Sequence, residues 1–509
     1  MTLRTMLPAF WLGFAVASHG QGGSVPGFQF DDVRQLAAER AAAPYVDRKT
    51  DLAPFWAGLA AEDYQKIQPR REAALWAAPD SPFSLLFAHP GGPLPRTVVI
   101  SEIASATASE IFWKPECFDY GSLKIPADAA SPGGFAGFQI LAPVNDPSHR
   151  DELLSFAGGS FFRAVAPGLH YGLAARGLAL NTALPKGEEF PQFERFWIER
   201  PGVNAKSLVC YALLDTPSAA GAYRFRTTPG RSTVMEVDAE VIFRQEVERI
   251  GFAPFSSMFW HGEISPQPPT DFRPEVHDSD GLLVQFGDSE VLWRPLDNGR
   301  AVRHSVLNAE KLLGFGLIQR DRGFDHYQDL KAAYEQRPSA WVEPFGTWPT
   351  GKIHLVELPT GEATWGNVVC FWEPDKRPQP GQRFRISYRI HWLPEMSIPG
   401  VCKVLSTRRA ITASADPAKP GEEHEYVVDF SPIMSASAEA QMPAVYAEAG
   451  LQARLLDRSV SKNPHTGGWR AVIRVHIPAS ADNVEMSCRL LSGGRQTSEK
   501  WSYLWKKQP

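Results

Sequence analysis

Along most of the chain, apolar positions alternate with polar ones in short runs rich in Val, Ile, Phe, Tyr and Trp. A period of two with β-branched and aromatic side chains is the pattern of strands that bury one face. Residues 207–215, 223–230 and 232–244, rich in such side chains and separated by Pro, Gly and Ser, predict consecutive antiparallel strands joined by turns. Helical spacing is confined to 31–43, which opens with two aspartates suited to the positive end of a helix, and to the shorter stretches 61–67 and 328–335. With 43 prolines and 41 glycines punctuating the runs, the fold class is mainly β, with helices decorating a sandwich.

The alternation breaks most clearly after residues 383–394, where a loop-like stretch over 395–403 contains Pro399 and Gly400. It resumes at 425–430, 469–477 and 485–491, which suits a second, immunoglobulin-like sandwich. The 509 residues exceed what one core usually organises, so two domains are expected, a large one over 24–394 and a smaller one over 400–509. No solenoid-length repeat is present. At the N-terminus, Arg4 precedes an apolar run over 6–17 and then a polar, glycine-rich stretch, the shape of a signal peptide ending near residue 21. A run broken by Pro8 is too short for a spanning helix, which needs about 20 residues. Export is therefore the expectation.

Composition narrows the ligand. A net charge of −5 without a basic cluster excludes the electrostatic footprint of a nucleic-acid or anionic-membrane binder and favours a neutral or weakly charged ligand. Cys117, Cys210, Cys370, Cys402 and Cys488 are odd in number and far apart, so one or two disulfides and a set of isolated buried thiols are both open. No Cys/His cluster has metal-ligand spacing, and Ser160 in Gly158-Gly159-Ser160-Phe161-Phe162 is not a nucleophile elbow. Neither a metal nor another cofactor is expected.

Particular strings say more. FDYG (118–121), GGFAGF (133–138), FAGGSFFRA (156–164), YGLAARGLA (171–179), GEEFPQF (187–193), FWIERP (196–201), RPEVHDSDGL (273–282), GFGLIQR (314–320), RPSAWVEP (337–344) and NPHTGGWR (463–470) occur in this order. Together they resemble the periplasmic glucan biosynthesis proteins G and D across nearly the whole mature chain. The resemblance implies a large N-terminal β-sandwich of galactose-mutarotase-like type, a smaller C-terminal immunoglobulin-like domain, and periplasmic action on osmoregulated glucans with a β-1,2-linked backbone. It also implies the glucan as ligand, the membrane glucan synthase machinery as a possible partner, and, for some members, inverting glycoside hydrolase or transglycosylase chemistry.

Inverting hydrolysis needs one carboxylic acid to protonate the leaving oxygen and one carboxylate to activate water, roughly 6.5–9.5 Å apart. The family's base matches Asp278 in the string His277-Asp278-Ser279-Asp280. The family's acid falls in Ala363-Thr364-Trp365-Gly366-Asn367, where glycine stands in place of the aspartate. Glycine cannot donate a proton, which leaves Glu362 as the nearest substitute acid and leaves noncatalytic glucan binding as an alternative. Tyr334 matches a tyrosine that faces the glucan, and Trp365 is positioned to stack on a pyranose. Arg273, His277, Asp280, Trp293 and Arg320, all within the shared strings or beside them, complete the expected ligand-binding set.

Overall fold

The computed structural model describes residues 25–48, 52–78, 80–287, 290–363, 366–413, 420–432 and 442–508. The expected signal peptide over 1–21 and Trp365 lie outside these residues. The three leading runs form strands Leu208–Thr216, Ala219–Thr228 and Thr233–Phe243, paired antiparallel with Leu208 opposite Thr227 and Ala219 opposite Phe243. Strand Arg383–Leu393 then pairs with Thr233–Phe243. The first strand of this group, Leu208–Thr216, is buried on both faces, which explains why its sequence does not alternate. Cys210, Ala212 and Leu214 point into the main core, while Val209, Tyr211 and Leu213 pack under Val33 and Ala37 of the helix Phe30–Ala42. That helix carries Asp31 and Asp32 in its first turn, and the Asp32 carboxylate accepts the Gln29 N–H at 2.6 Å.

Among the described residues, sixteen strands join one sheet and ten a second. The sheets face each other across a shared apolar cluster, with Phe156, Phe162 and Phe255 from the smaller sheet meeting Phe225, Tyr223 and Trp392 from the larger. Phe225 lies 5.0 Å from Phe156 and 5.2 Å from Phe162, centroid to centroid, at 62° in both cases. Burying each such ring contributes about 1.5–3 kcal/mol, so this seam is the main apolar support of the molecule.

Beyond the loop that follows Leu393, strands Val404–Ala413, Gly421–Phe430, Trp469–Pro478 and Arg454–Lys462 make a four-stranded sheet. Strands Ala444–Ala449, Asn483–Ser492 and Lys500–Lys506 do something the sequence pattern did not suggest, because they extend the large sheet. The join is a short parallel pairing in which Leu292 and Trp293 lie opposite Lys500 and Trp501. All five cysteines are free thiols, so the disulfide alternative does not hold. No helix of the described residues is long and apolar enough to cross a membrane.

Two helix expectations need correction. The stretch 61–67 forms only the turn Ala61–Tyr64. The stretch 328–335 is not a helix: a short one ends at Tyr327, Gln328 and Ala333 take left-handed backbone angles (φ 55° and 45°), and a 3-10 turn follows over Tyr334–Gln336. The cause is Asp329, whose carboxylate accepts the N–H groups of Lys331 and Ala332 and so offers the backbone a turn in place of helical bonding.

Candidate functional site

Asp278 sits where the smaller sheet runs out. Strand Ile250–Ser257 leaves that sheet, and Phe259–His261 then pairs with Val276–His277, placing Phe259 opposite His277. The Asp278 N–H donates to the Met258 carbonyl at 2.8 Å. The turn beneath is fixed by the buried hydroxyl pair Ser257–Ser279 at 2.8 Å and by Gly281, where any Cβ would lie 2.4 Å from the Trp293 ring. A side chain there would drive the whole turn away from the sheet.

On the opposite side of Met258 lies the loop with Gly366. Ser257 pairs with Val368, and the buried Asn367 amide clamps Phe259 by accepting its N–H and donating to its carbonyl, both at 2.9 Å. The segment 257–259 therefore runs between Asp278 and Gly366. Glu362 is on the Gly366 loop and exposed, and with Gly366 and Asn367 it lines an open cavity of about 630 Å³.

The Asp278 side chain keeps 16% of its accessibility, and its Oδ1 lies 3.7 Å from Arg337 Nε. Burial lifts the Asp278 carboxyl above its ordinary value, opposed by the charges of Arg337, then Arg163, then His277. Tyr334, buried among Met258, Val276 and Tyr327, is raised by burial and next by the Asp278 charge, with the Arg337 guanidinium 5.4 Å from its ring. Arg273 is bound to Asp271 at 2.6 Å and Asp329 at 2.9 Å, and lies 5.8 Å from the Trp260 ring, which shares the Tyr334 cluster with Ala363 of the Gly366 loop.

Behind Asp278 is a buried polar network. His277 contacts Glu275 Oε2 at 2.9 Å and Gln319 Oε1 at 3.1 Å, and its ring stacks on Phe259. Burial pushes the imidazole down, but the Asp280 and Glu275 carboxylates outweigh it and lift it to about 9. Asp280 accepts the N–H groups of Arg320 and Asp321. Burial, and then Asp280, raise the Asp321 carboxyl so far that it holds its proton at neutral pH. Possible ligand atoms of Glu275, His277, Asp280 and Asp321 lie within 4.8 Å of one another, but Glu275 and Asp280 accept from protein donors, His277 donates to Glu275 and to the Gln319 amide oxygen, and Asp321 is engaged with Asp280. The group forms a proton-sharing base for the turn.

Of the residues expected from sequence, the structure thus gathers Asp278, His277, Asp280, Tyr334 and Arg273, with Glu362 across Met258. It does not bring Trp293 or Arg320 to the carboxylate. Trp293 is 3% exposed within the C-terminal apolar cluster, and Arg320 stacks on it at 3.4 Å and binds Glu499 at 2.7 Å, so both tie the C-terminal strands to the large sheet. Arg337 was missed. Its sequence carried no distinctive signal, because Arg337 comes to the side of Tyr334 only once residues 334–336 form a 3-10 turn.

Two sheets packed face to face, with a part-buried carboxylate, arginines and a tyrosine gathered where the strands end, define a large β protein with a polar site at the sheet margin. The chain belongs to the periplasmic glucan biosynthesis protein family, whose model, Periplasmic glucan biosynthesis protein MdoG, matches residues 28–505. It is 40% identical over 499 residues to the glucans biosynthesis protein G of Pectobacterium carotovorum subsp. carotovorum, covering 97% of this chain and 96% of that protein. The proteins of the same description from Ralstonia nicotianae and Serratia proteamaculans are 40% identical over 495 residues and 38% over 500, each again covered to 96%. A role in periplasmic glucan biosynthesis follows from this membership.

Proposed function

We propose that this chain is exported through the 1–21 signal, binds the β-1,2-glucan backbone with its 24–394 domain, and remodels it by inverting hydrolysis or transglycosylation. The observation that carries the reading is Asp278: a carboxylate shielded yet reachable, near two arginines, and one strand away from the Gly366 loop. In this scheme Asp278 takes a proton from water, or from a glucan hydroxyl in transglycosylation, as that oxygen attacks the anomeric carbon. The carbon–oxygen bond to the leaving glucose breaks, and Glu362 supplies the proton its oxygen needs. Tyr334 holds a sugar hydroxyl along the path of the first proton. Its raised carboxyl pKa makes Asp278 a stronger base than a free aspartate, provided it remains ionised at the working pH.

The second reading has its own observation. Gly366 removes the family's acid, which favours a noncatalytic protein that holds or steers the nascent chain for the membrane synthase. Incubating the mature protein with linear β-1,2-glucan and resolving the products separates the two. Altered chain length or linkage supports the enzyme; binding with neither change supports the scaffold.

A further inference from the structure

We infer that Arg337 is a positioning residue for Asp278, holding its carboxylate ionised and aimed while leaving its lone pairs open to the incoming hydroxyl. This rests on the base role proposed above. The distance carries the argument. Buried carboxylates elsewhere in this protein are closed onto their arginines, as in Arg303–Asp297 at 2.6 Å, Arg303–Glu357 at 2.7 Å and Arg244–Asp215 at 2.7 Å. Arg337 Nε stops 3.7 Å from Asp278 Oδ1, close enough for its charge to be felt but too far for a hydrogen bond. That Nε is buried and has no hydrogen-bond partner. A closed pair would occupy the oxygen that must accept a proton, whereas this open pair leaves it available.

The arginine is held in place by contacts that do not involve Asp278. Its Nη2 donates to the Ala332 carbonyl at 2.8 Å, and its stem lies along Gly172, where a Cβ would come within 3.1 Å of Arg337 Cβ and Cδ. The His170 N–H donates to the Gln336 carbonyl at 2.9 Å, tying the two segments together, and Arg322 binds the Arg337 carbonyl. A guanidinium fixed from behind with one donor unused toward a carboxylate is arranged to act on it. The charged and titratable groups facing Asp278 are Arg337 and Tyr334 from the turn, Arg163 from strand Phe161–Ala164, and His277 from its own strand. Arg337 is the largest of the influences that favour the ionised form, ahead of Arg163.

The test follows the carboxyl ¹³C resonance of Asp278 against pH, assigned by its loss in Asp278→Asn. In Arg337→Gln the titration midpoint should rise by at least about one pH unit, a tenfold change in proton affinity. In Arg163→Gln it should rise less, and in Arg337→Lys, which keeps the charge, most of the shift should be reversed. Arg337→Met keeps the packed stem and must raise the midpoint likewise, which covers the case in which the glutamine variant does not fold. With linear β-1,2-glucan, the acidic limb of kcat/KM should move upward by the same amount, with a smaller change in KM. An unmoved midpoint in the folded Gln or Met variant overturns the inference. If the midpoint moves but the wild-type protein leaves glucan unchanged, the positioning role stands and the base role fails.

Discussion

At Gly366 a Cβ would meet only the Ser257 carbonyl oxygen, at 3.6 Å, so the loop accepts a side chain without rearrangement. Gly366→Asp is therefore expected to fold and to increase the initial rate of glucan turnover toward the 10²–10⁴-fold that general-acid help typically supplies. Glu362→Gln should lower the wild-type rate if Glu362 is the substitute acid, and an unchanged rate removes it from the scheme. Two titrations at the same site bear on stability. Ionised Asp278 is disfavoured by burial, so its contribution to folding is greatest at low pH and is lost as pH rises through its raised folded value. Asp278→Asn should accordingly raise Tm at neutral pH, as expected of a residue kept for chemistry. His277 runs from an ordinary 6.5 to about 9 when folded. Its stabilisation, about 3 kcal/mol, is fully present below pH 6.5 and lost as pH rises through 9. Asp321, also raised, acts with the same sign. Denaturant midpoints compared at pH 6 and pH 9 should show that loss, and equal midpoints would contradict it. The base candidate Asp278 came from the family resemblance of its string, whereas Arg337 was hidden because an arginine beside a proline carries no distinctive pattern until the turn brings it under Asp278.

At the scale of elements, the apolar pattern located the long strands with ends within about four residues, because side-chain direction is a local property. The stretch 328–335 misled for an equally local reason: its Leu, Ala and Tyr spacing suits a helix, but Asp329 bonds the backbone into a turn and the left-handed Gln328 and Ala333 break it. That turn is what delivers Tyr334 and Arg337 to Asp278. The facing loop depends on Asn367, whose side chain makes three bonds, to the Phe259 N–H and to the carbonyls of Phe259 and Leu358. Asn367→Ala leaves those backbone groups without their partner, at about 1–3 kcal/mol for each group left unsatisfied. It should lower Tm and weaken glucan binding together, measured by calorimetry on one preparation. A lower Tm with unchanged affinity would mean that the loop does not contact the glucan.

For the whole molecule, sequence suggested a break after residue 394, and a strand-free connection does follow Leu393. What one-dimensional pattern cannot report is that the C-terminal strands return to the large sheet, since pairing partners more than 200 residues apart leave no local mark. The junction is polar as well as hydrogen-bonded. Arg303 is buried between Asp297 and Glu357, and the Tyr503 hydroxyl donates to Asp297 at 2.5 Å. Removing residues 400–509 would expose Trp293 and leave this ion cluster without one of its partners. The full chain should therefore melt in a single calorimetric transition and the truncated one should be poorly soluble or melt well below it; two separate transitions in the full chain would show that the bodies are independent. The same junction explains why Trp293 and Arg320, attractive as ligand contacts in the sequence, serve cohesion instead.

The central claim is that Asp278 activates the attacking oxygen on a β-1,2-glucan. It is tested most directly by incubating wild-type protein and Asp278→Asn with linear β-1,2-glucan and resolving the products by chain length. The account predicts a changed length distribution with the wild type and an unchanged one with Asp278→Asn, which still binds the glucan. An Asp278→Asn variant that processes glucan as fast as the wild type would contradict it.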